Sequence, residues 1–113
     1  LIKDVNQSIF EYLPDYQNFK TEAKEQITIE HLLTMTSGLQ WREWGIPLSS
    51  IKNDQIGIWF WEDGPMNYLL GRDLVAEPGT RFNYSGGDIQ ILVDLFKSRV
   101  YARMRRLALP NPE

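Results

Sequence analysis

The sequence predicts a mainly α fold joined by long connections. Three observations point that way. Apolar residues recur at helical spacing in four separate places, stop residues follow three of those places, and no segment alternates apolar and polar residues as a half-buried strand would.

The first place is Val5, Ile9, Tyr12 and Leu13, followed at once by Pro14, which disfavours helix in the residue before it. This predicts a short amphipathic helix. Residues 15–26 are polar and charged and read as a solvated loop. Thr28 then stands at a helix N-cap position with Glu30 in the first turn. Ile29, Leu32 and Leu33 supply the apolar face of that second helix, and Gly38 is placed to stop it. Ser37 is expected to close its C-terminus through local hydrogen bonds.

Residues 40–63 lose any period and hold Trp41, Trp44, Trp59, Phe60 and Trp61. They read as a long ordered loop with room for one short helix, and loops of that length in a compact domain often serve function. The tryptophans suit either a substrate cleft or a helical core. Pro65 fits the first position of a helix, with Met66, Leu69 and Leu70 on one face before Gly71. Pro78 and Gly79 match the centre of a type II turn. An extended stretch over 81–84 leads to Ser85-Gly86-Gly87-Asp88, where Ser85 or Asp88 could cap a last helix buried through Ile89, Leu92, Val93 and Phe96.

With 113 residues the chain has room for one domain or part of one. A hydrophobic share of 42% against a charged share of 24% excludes a disordered chain. A net charge of -3 argues against a nucleic-acid or membrane-surface partner drawn by bulk charge. Arg99, Arg103, Arg105 and Arg106 are most simply a solvated basic tail. The absence of cysteine removes disulfides, thiolate metal ligands and a thiol nucleophile. No apolar run is long enough to span a bilayer. Leu1 stands where a methionine would, which sets the expectation of a chain beginning inside a longer one.

Two stretches carry a more specific signal. They are Ile27-Thr28-Ile29-Glu30-His31-Leu32-Leu33-Thr34-Met35-Thr36-Ser37-Gly38-Leu39 and Val75-Ala76-Glu77-Pro78-Gly79-Thr80-Arg81-Phe82-Asn83-Tyr84-Ser85-Gly86-Gly87-Asp88. In this order and separation they resemble the serine β-lactamase and penicillin-binding-protein superfamily. The resemblance is to its class C-related serine hydrolases, which include D-alanyl-D-alanine carboxypeptidases, esterases and 6-aminohexanoate-dimer hydrolases. The opening segment ending Glu11-Tyr12-Leu13-Pro14 resembles the helix and turn downstream of that family's nucleophile, so the likeness covers residues 1–97.

The resemblance implies an α+β fold, of which this chain would be a mainly α fragment: the helical subdomain with its long loops. It also implies a hydrolase acting on a small-molecule amide or ester without metal or other cofactor, periplasmic or secreted by family habit. The family works through a Ser-x-x-Lys nucleophile, a Tyr-x-Asn general base and a Lys-Thr-Gly or His-x-Gly wall. Tyr84-Ser85-Gly86 matches the second element, which makes Tyr84 the catalytic candidate and Ser85, Gly86 and Trp44 the substrate-pocket candidates. Gly86 stands where many members carry asparagine, which shifts weight from a β-lactam towards an ester, amide or peptide. A free phenol has a pKa of about 10, so the tyrosine would need neighbouring cations to serve as a base.

The other two elements are not matched. Ser49-Ser50-Ile51-Lys52 has the right letters, but it follows Thr36-Ser37-Gly38-Leu39 where the family places it before, and its flanks do not open a buried helix. No Lys-Thr-Gly or His-x-Gly occurs. His31 is the sole histidine, and no Ser-His-Asp order can be built around it. Residues 98–113 leave the family pattern and are expected to be a divergent basic tail, such as a truncated or shifted reading frame would produce. A chain lacking the family's sheet is expected to be marginally stable. The expected function is therefore part of an amide- or ester-cleaving serine hydrolase without its nucleophile motif. The alternative is a non-catalytic remnant or binding module of the same fold, and a helical interaction domain with accidental similarity is a third class.

Overall fold

The computed structural model describes residues 2–108 and is helical, with two isolated antiparallel bridges, Ser8 with Thr28 and Leu39 with Leu74, as the β pairing among the described residues. Four α-helices follow in chain order: α1 Ile29–Leu33, α2 Asp54–Gly57, α3 Pro65–Leu70 and α4 Gly86–Ala108. Three short 3-10 segments precede α1, and a fourth, Ile58–Phe60, lies between α2 and α3.

The chain start is not the amphipathic α-helix its spacing predicts. It is a 3-10 turn over Ile9–Tyr12, and Val5 is exposed. Tertiary pairing takes the backbone groups a helix would need: Ile9 N–H donates to the Ile27 carbonyl at 3.0 Å, and Glu30 N–H to that of Val5 at 2.8 Å. The stretch expected as plain loop carries two further 3-10 segments, Pro14–Phe19 and Lys24–Gln26.

Helix α1 begins where the sequence places it. The Thr28 hydroxyl accepts the His31 N–H at 3.2 Å, and Thr28 N–H donates to His31 Nδ1 at 3.1 Å, a reciprocal cap with histidine in the usual place of Glu or Gln. The helix ends at Leu33, before Gly38, and Leu33 is exposed. Met35, at φ 57, turns the chain out of the helix instead.

Gly38 has a different duty. Its φ is +87, and a Cβ there would lie 2.2 Å from the Ala76 carbonyl oxygen, so only glycine allows the two backbones to meet. At that approach the two motif stretches are laced together. Gln40 N–H donates to the Asp73 carbonyl at 2.8 Å, Val75 to Gly38 at 2.8 Å, Gly79 to Thr36 at 2.7 Å and Asn83 to Met35 at 2.9 Å. Ser37 joins this seam rather than closing α1: it is buried, and its hydroxyl donates to Asp88 Oδ1 at 2.8 Å.

Pro65 opens α3 and Gly71 closes it, with Met66, Leu69 and Leu70 buried. Helix α4 packs on α1, α3 and the Ile9–Tyr12 turn, but through another face than the spacing suggests. Ile91, Leu92 and Leu95 are buried, whereas Ile89, Val93 and Phe96 are exposed. Both faces are apolar, and contact with Ile9, Ile27, Ile29, Leu32 and Leu70 in the core selects the first. The helix runs unbroken through Lys97 and Ser98 to Ala108. Arg99 lies over the Tyr12 ring at 5.5 Å and is half-buried, so it is not a simply solvated cation. Pro110 and Pro112 of the expected tail lie outside the described residues.

Candidate functional site

Residues 81–84 belong to no helix or bridge, and the backbone on both sides of Tyr84 is tied down. Asn83 is held twice, by its N–H to the Met35 carbonyl at 2.9 Å and by its Nδ2 to the Trp41 carbonyl at 2.9 Å. Ser85 is buried; its N–H points to Met35 Sδ at 3.4 Å and its Oγ accepts the Asp88 N–H at 3.0 Å. Ser85 is thus the cap of α4, and its hydroxyl is engaged in that duty. Gly86 N–H donates to Glu43 Oε1 at 3.0 Å.

Tyr84 itself is free. Its side chain is 44% exposed, and its hydroxyl has no hydrogen-bond partner among the described residues. Its ring meets Trp44 edge-on, with centroids 5.9 Å apart and planes inclined at 64°. Trp44 is 81% exposed, so it belongs to no core. Two of the four residues singled out from sequence therefore form one exposed aromatic pair, with Ser85 and Gly86 anchoring the backbone directly behind it.

The loop bearing Trp44 is fixed by a buried carboxylate. Asp54 accepts both Arg42 N–H at 2.6 Å and the Arg72 guanidinium at 3.0 and 3.1 Å, and takes the Tyr68 hydroxyl as a further donor. Burial, followed by that bond to Asp54, pushes the Tyr68 phenol up to about 12. Asn53, also buried, donates its Nδ2 to the carbonyls of Glu43 and Ile46 at 3.3 and 2.8 Å. Glu43 Oε1 in turn accepts the Trp41 indole N–H at 2.8 Å. The aperiodic loop is thus ordered through its polar residues, and its tryptophans split: Trp41 is core, while Trp44, Trp59 and Trp61 are exposed.

Behind the seam lies a cavity of about 220 Å³ bordered by Met35, Ser37, Leu39, Asn83, Ser85 and Asp88. Tyr84 does not border it. Burial pushes the Asp88 carboxyl up to about 6, and hydrogen bonds from Ser37 and Ser85 limit the rise. Ser49 and Lys52 sit on an exposed turn with no helix to align them. His31 serves the α1 cap and packs under the turn at Gly79, whose Cβ would lie 2.8 Å from His31 Nε2.

Glu43 and Gln55 crowd Gly86 without a signal of their own in the sequence. No period marks them, and their approach depends on how the loop closes. Asp88 was visible only as a possible cap, because its tie to Ser37 spans 51 positions.

The β-lactamase family model matches residues 3–103. The crystal structure of a candidate β-lactamase from Bacteroides dorei DSM 17855 is similar at a TM-score of 0.57 and 26% identity, over 85% of this chain and 26% of that one. The chain thus spans about a quarter of that protein's length. No curated protein sequence matches it.

Proposed function

We propose, from the premise that the chain belongs to the β-lactamase family, that it carries the tyrosine segment of a serine hydrolase site for small amide or ester substrates. Tyr84 is the general base of that site, and Trp44, Ser85 and Gly86 form its surroundings. The nucleophile motif belongs to an element this chain does not carry.

The observation that carries this reading is a free phenol on a pinned backbone. Among the described residues, Tyr12 and Tyr68 have their hydroxyls satisfied, whereas Tyr84 shares an open hydroxyl with exposed Tyr101 and differs from it in the fixed backbone on both sides. Asn83, Ser85 and Gly86 are each fixed by hydrogen bonds. A side chain held in place yet left open can exchange a proton with a bound group.

Family membership brings small-molecule substrates into view, and no described helix is long and apolar enough to cross a membrane. The second reading is a binding module without turnover. The exposed turn at Ser49 and Lys52 favours it, since a Ser-x-x-Lys pair acts together only when a helical turn stacks its two side chains.

Labelling tests the premise that both readings share, that this chain holds no working nucleophile. A serine-directed fluorophosphonate and a fluorescent penicillin are expected to leave no stable adduct on this chain. A stoichiometric adduct mapping to Ser49 would show that a nucleophile is present and overturn its assignment to another element.

A further inference from the structure

The residue after Ser85 is a glycine, and the space above it is filled from a distant part of the chain. A Cβ on Gly86 would lie 2.1 Å from Gln55 Oε1 and 3.1 Å from Glu43 Oε1. The first approach is far inside van der Waals contact, so any side chain at position 86 must displace the Gln55 head.

The two neighbours differ in what they have left to offer. Glu43 Oε1 is occupied by the Trp41 indole and the Gly86 N–H. The Gln55 carboxamide makes no hydrogen bond among the described residues, although Gln55 is half-buried. Its base is nonetheless rigid: Gln55 N–H donates to Asn53 Oδ1 at 2.8 Å, and Asn53 is buried and bonded to two carbonyls. A partly buried amide without a protein partner gains by meeting an external one. It offers two N–H donors and an acceptor at one point, the complement of a substrate amide with its own C=O and N–H.

We propose that Gln55 is a specificity-determining residue of the Tyr84 site. Its carboxamide occupies the space that a side chain at Gly86 would take, and it hydrogen-bonds the amide group of a small-molecule substrate. An ester offers the carbonyl without the N–H, so Gln55 favours amides over matching esters. This inference rests on the reading of Tyr84 given above.

The test titrates the 113-residue chain, isotope-labelled for NMR, with N-acetyl-D-alanyl-D-alanine and with its ester counterpart N-acetyl-D-alanyl-D-lactate. The amide probe is expected to shift the Gln55 side-chain NH2 and the Trp44 indole signals. Gln55→Leu is expected to weaken amide binding about five-fold, the scale of one hydrogen bond, and to remove the preference over the ester. Shifts at Trp44 with the Gln55 signals unmoved, and equal binding by Gln55→Leu, would overturn the role of Gln55 and leave the Tyr84 site standing. No shift at Trp44 or Tyr84 with either probe would overturn the site and the inference together. A ligand-free check covers the packing: Gly86→Ala is expected to displace the Gln55 head and so shift its side-chain NH2 signals, and unmoved signals would refute the shared space.

Discussion

Ser37 donates its hydroxyl to Asp88 Oδ1 at 2.8 Å, a buried bond that ties the first motif stretch to the start of α4 across 51 positions. Burial makes this carboxyl harder to ionise in the folded chain than in the unfolded one, lifting it from 3.8 to about 6. The folded state therefore holds more protons between those values, and stability contributed by Asp88 is complete below pH 3.8 and lost as pH rises through 6. The span corresponds to at most about 3 kcal/mol. Urea unfolding between pH 4 and 7.5 is expected to show this decline against Asp88→Asn, which removes the titration but keeps an acceptor for Ser37. Parallel pH profiles for the two proteins would refute it.

Two tyrosines should respond in opposite ways to loss of the hydroxyl. Tyr84→Phe removes a group with no partner among the described residues and is expected to change stability by less than about 0.5 kcal/mol. Tyr68→Phe takes a donor from buried Asp54 and is expected to cost about 1 to 2 kcal/mol. Because the Tyr68 phenol is raised from 10.0 to about 12, its contribution is complete below pH 10 and lost as pH rises through 12. Denaturant titrations of both variants, at neutral and alkaline pH, check the pair. Equal costs would mean that Tyr84 is structural after all.

Gly38 should be intolerant for a reason that no helix-stop role would supply. Alanine there must hold φ +87 and place its Cβ against the Ala76 carbonyl, 2.2 Å away. Gly38→Ala is expected to cost at least about 2 kcal/mol, the combined scale of left-handed strain and a backbone shift. Hydrogen exchange should show the amides of Val75 and Gly79 losing protection first, since their acceptors are Gly38 and Thr36. A loss of less than about 0.5 kcal/mol would deny the close approach.

What could be read from the sequence follows from where each element's determinants lie. Thr28, Pro65, Gly71 and Ser85 act within one helical turn of themselves, so the ends they set are visible in order. The motif stretches were legible as a pair, and their backbones do lie side by side. Ser37 could not be placed, because its partner is 51 positions away. The start of the chain misled for the same reason: helical spacing at Val5, Ile9 and Tyr12 loses to backbone bonds offered by residues 27–30. Gly86 looked like a plain departure from a pattern, and only the closed loop reveals Gln55 and Glu43 above it.

The two apolar faces of α4 give the last prediction, which distinguishes packing from periodicity. Spacing favours Ile89, Leu92, Val93 and Phe96 as the buried side, yet only Leu92 of these is buried; the other three are each more than two-fifths exposed, while Ile91 and Leu95 are fully buried. Removing a buried leucine leaves a cavity the surroundings fill poorly, so Leu95→Ala is expected to cost about 2 to 5 kcal/mol. Val93→Gln and Phe96→Gln exchange exposed apolar surface for polar and are expected to stay within about 0.5 kcal/mol of the parent. They should also reduce self-association in sedimentation velocity, since the exposed line continues through Val100, Met104 and Leu107. If Phe96→Gln costs as much as Leu95→Ala, the helix is rotated in solution, and the placement of Ser85 and Asp88 at its start would have to be redrawn with it.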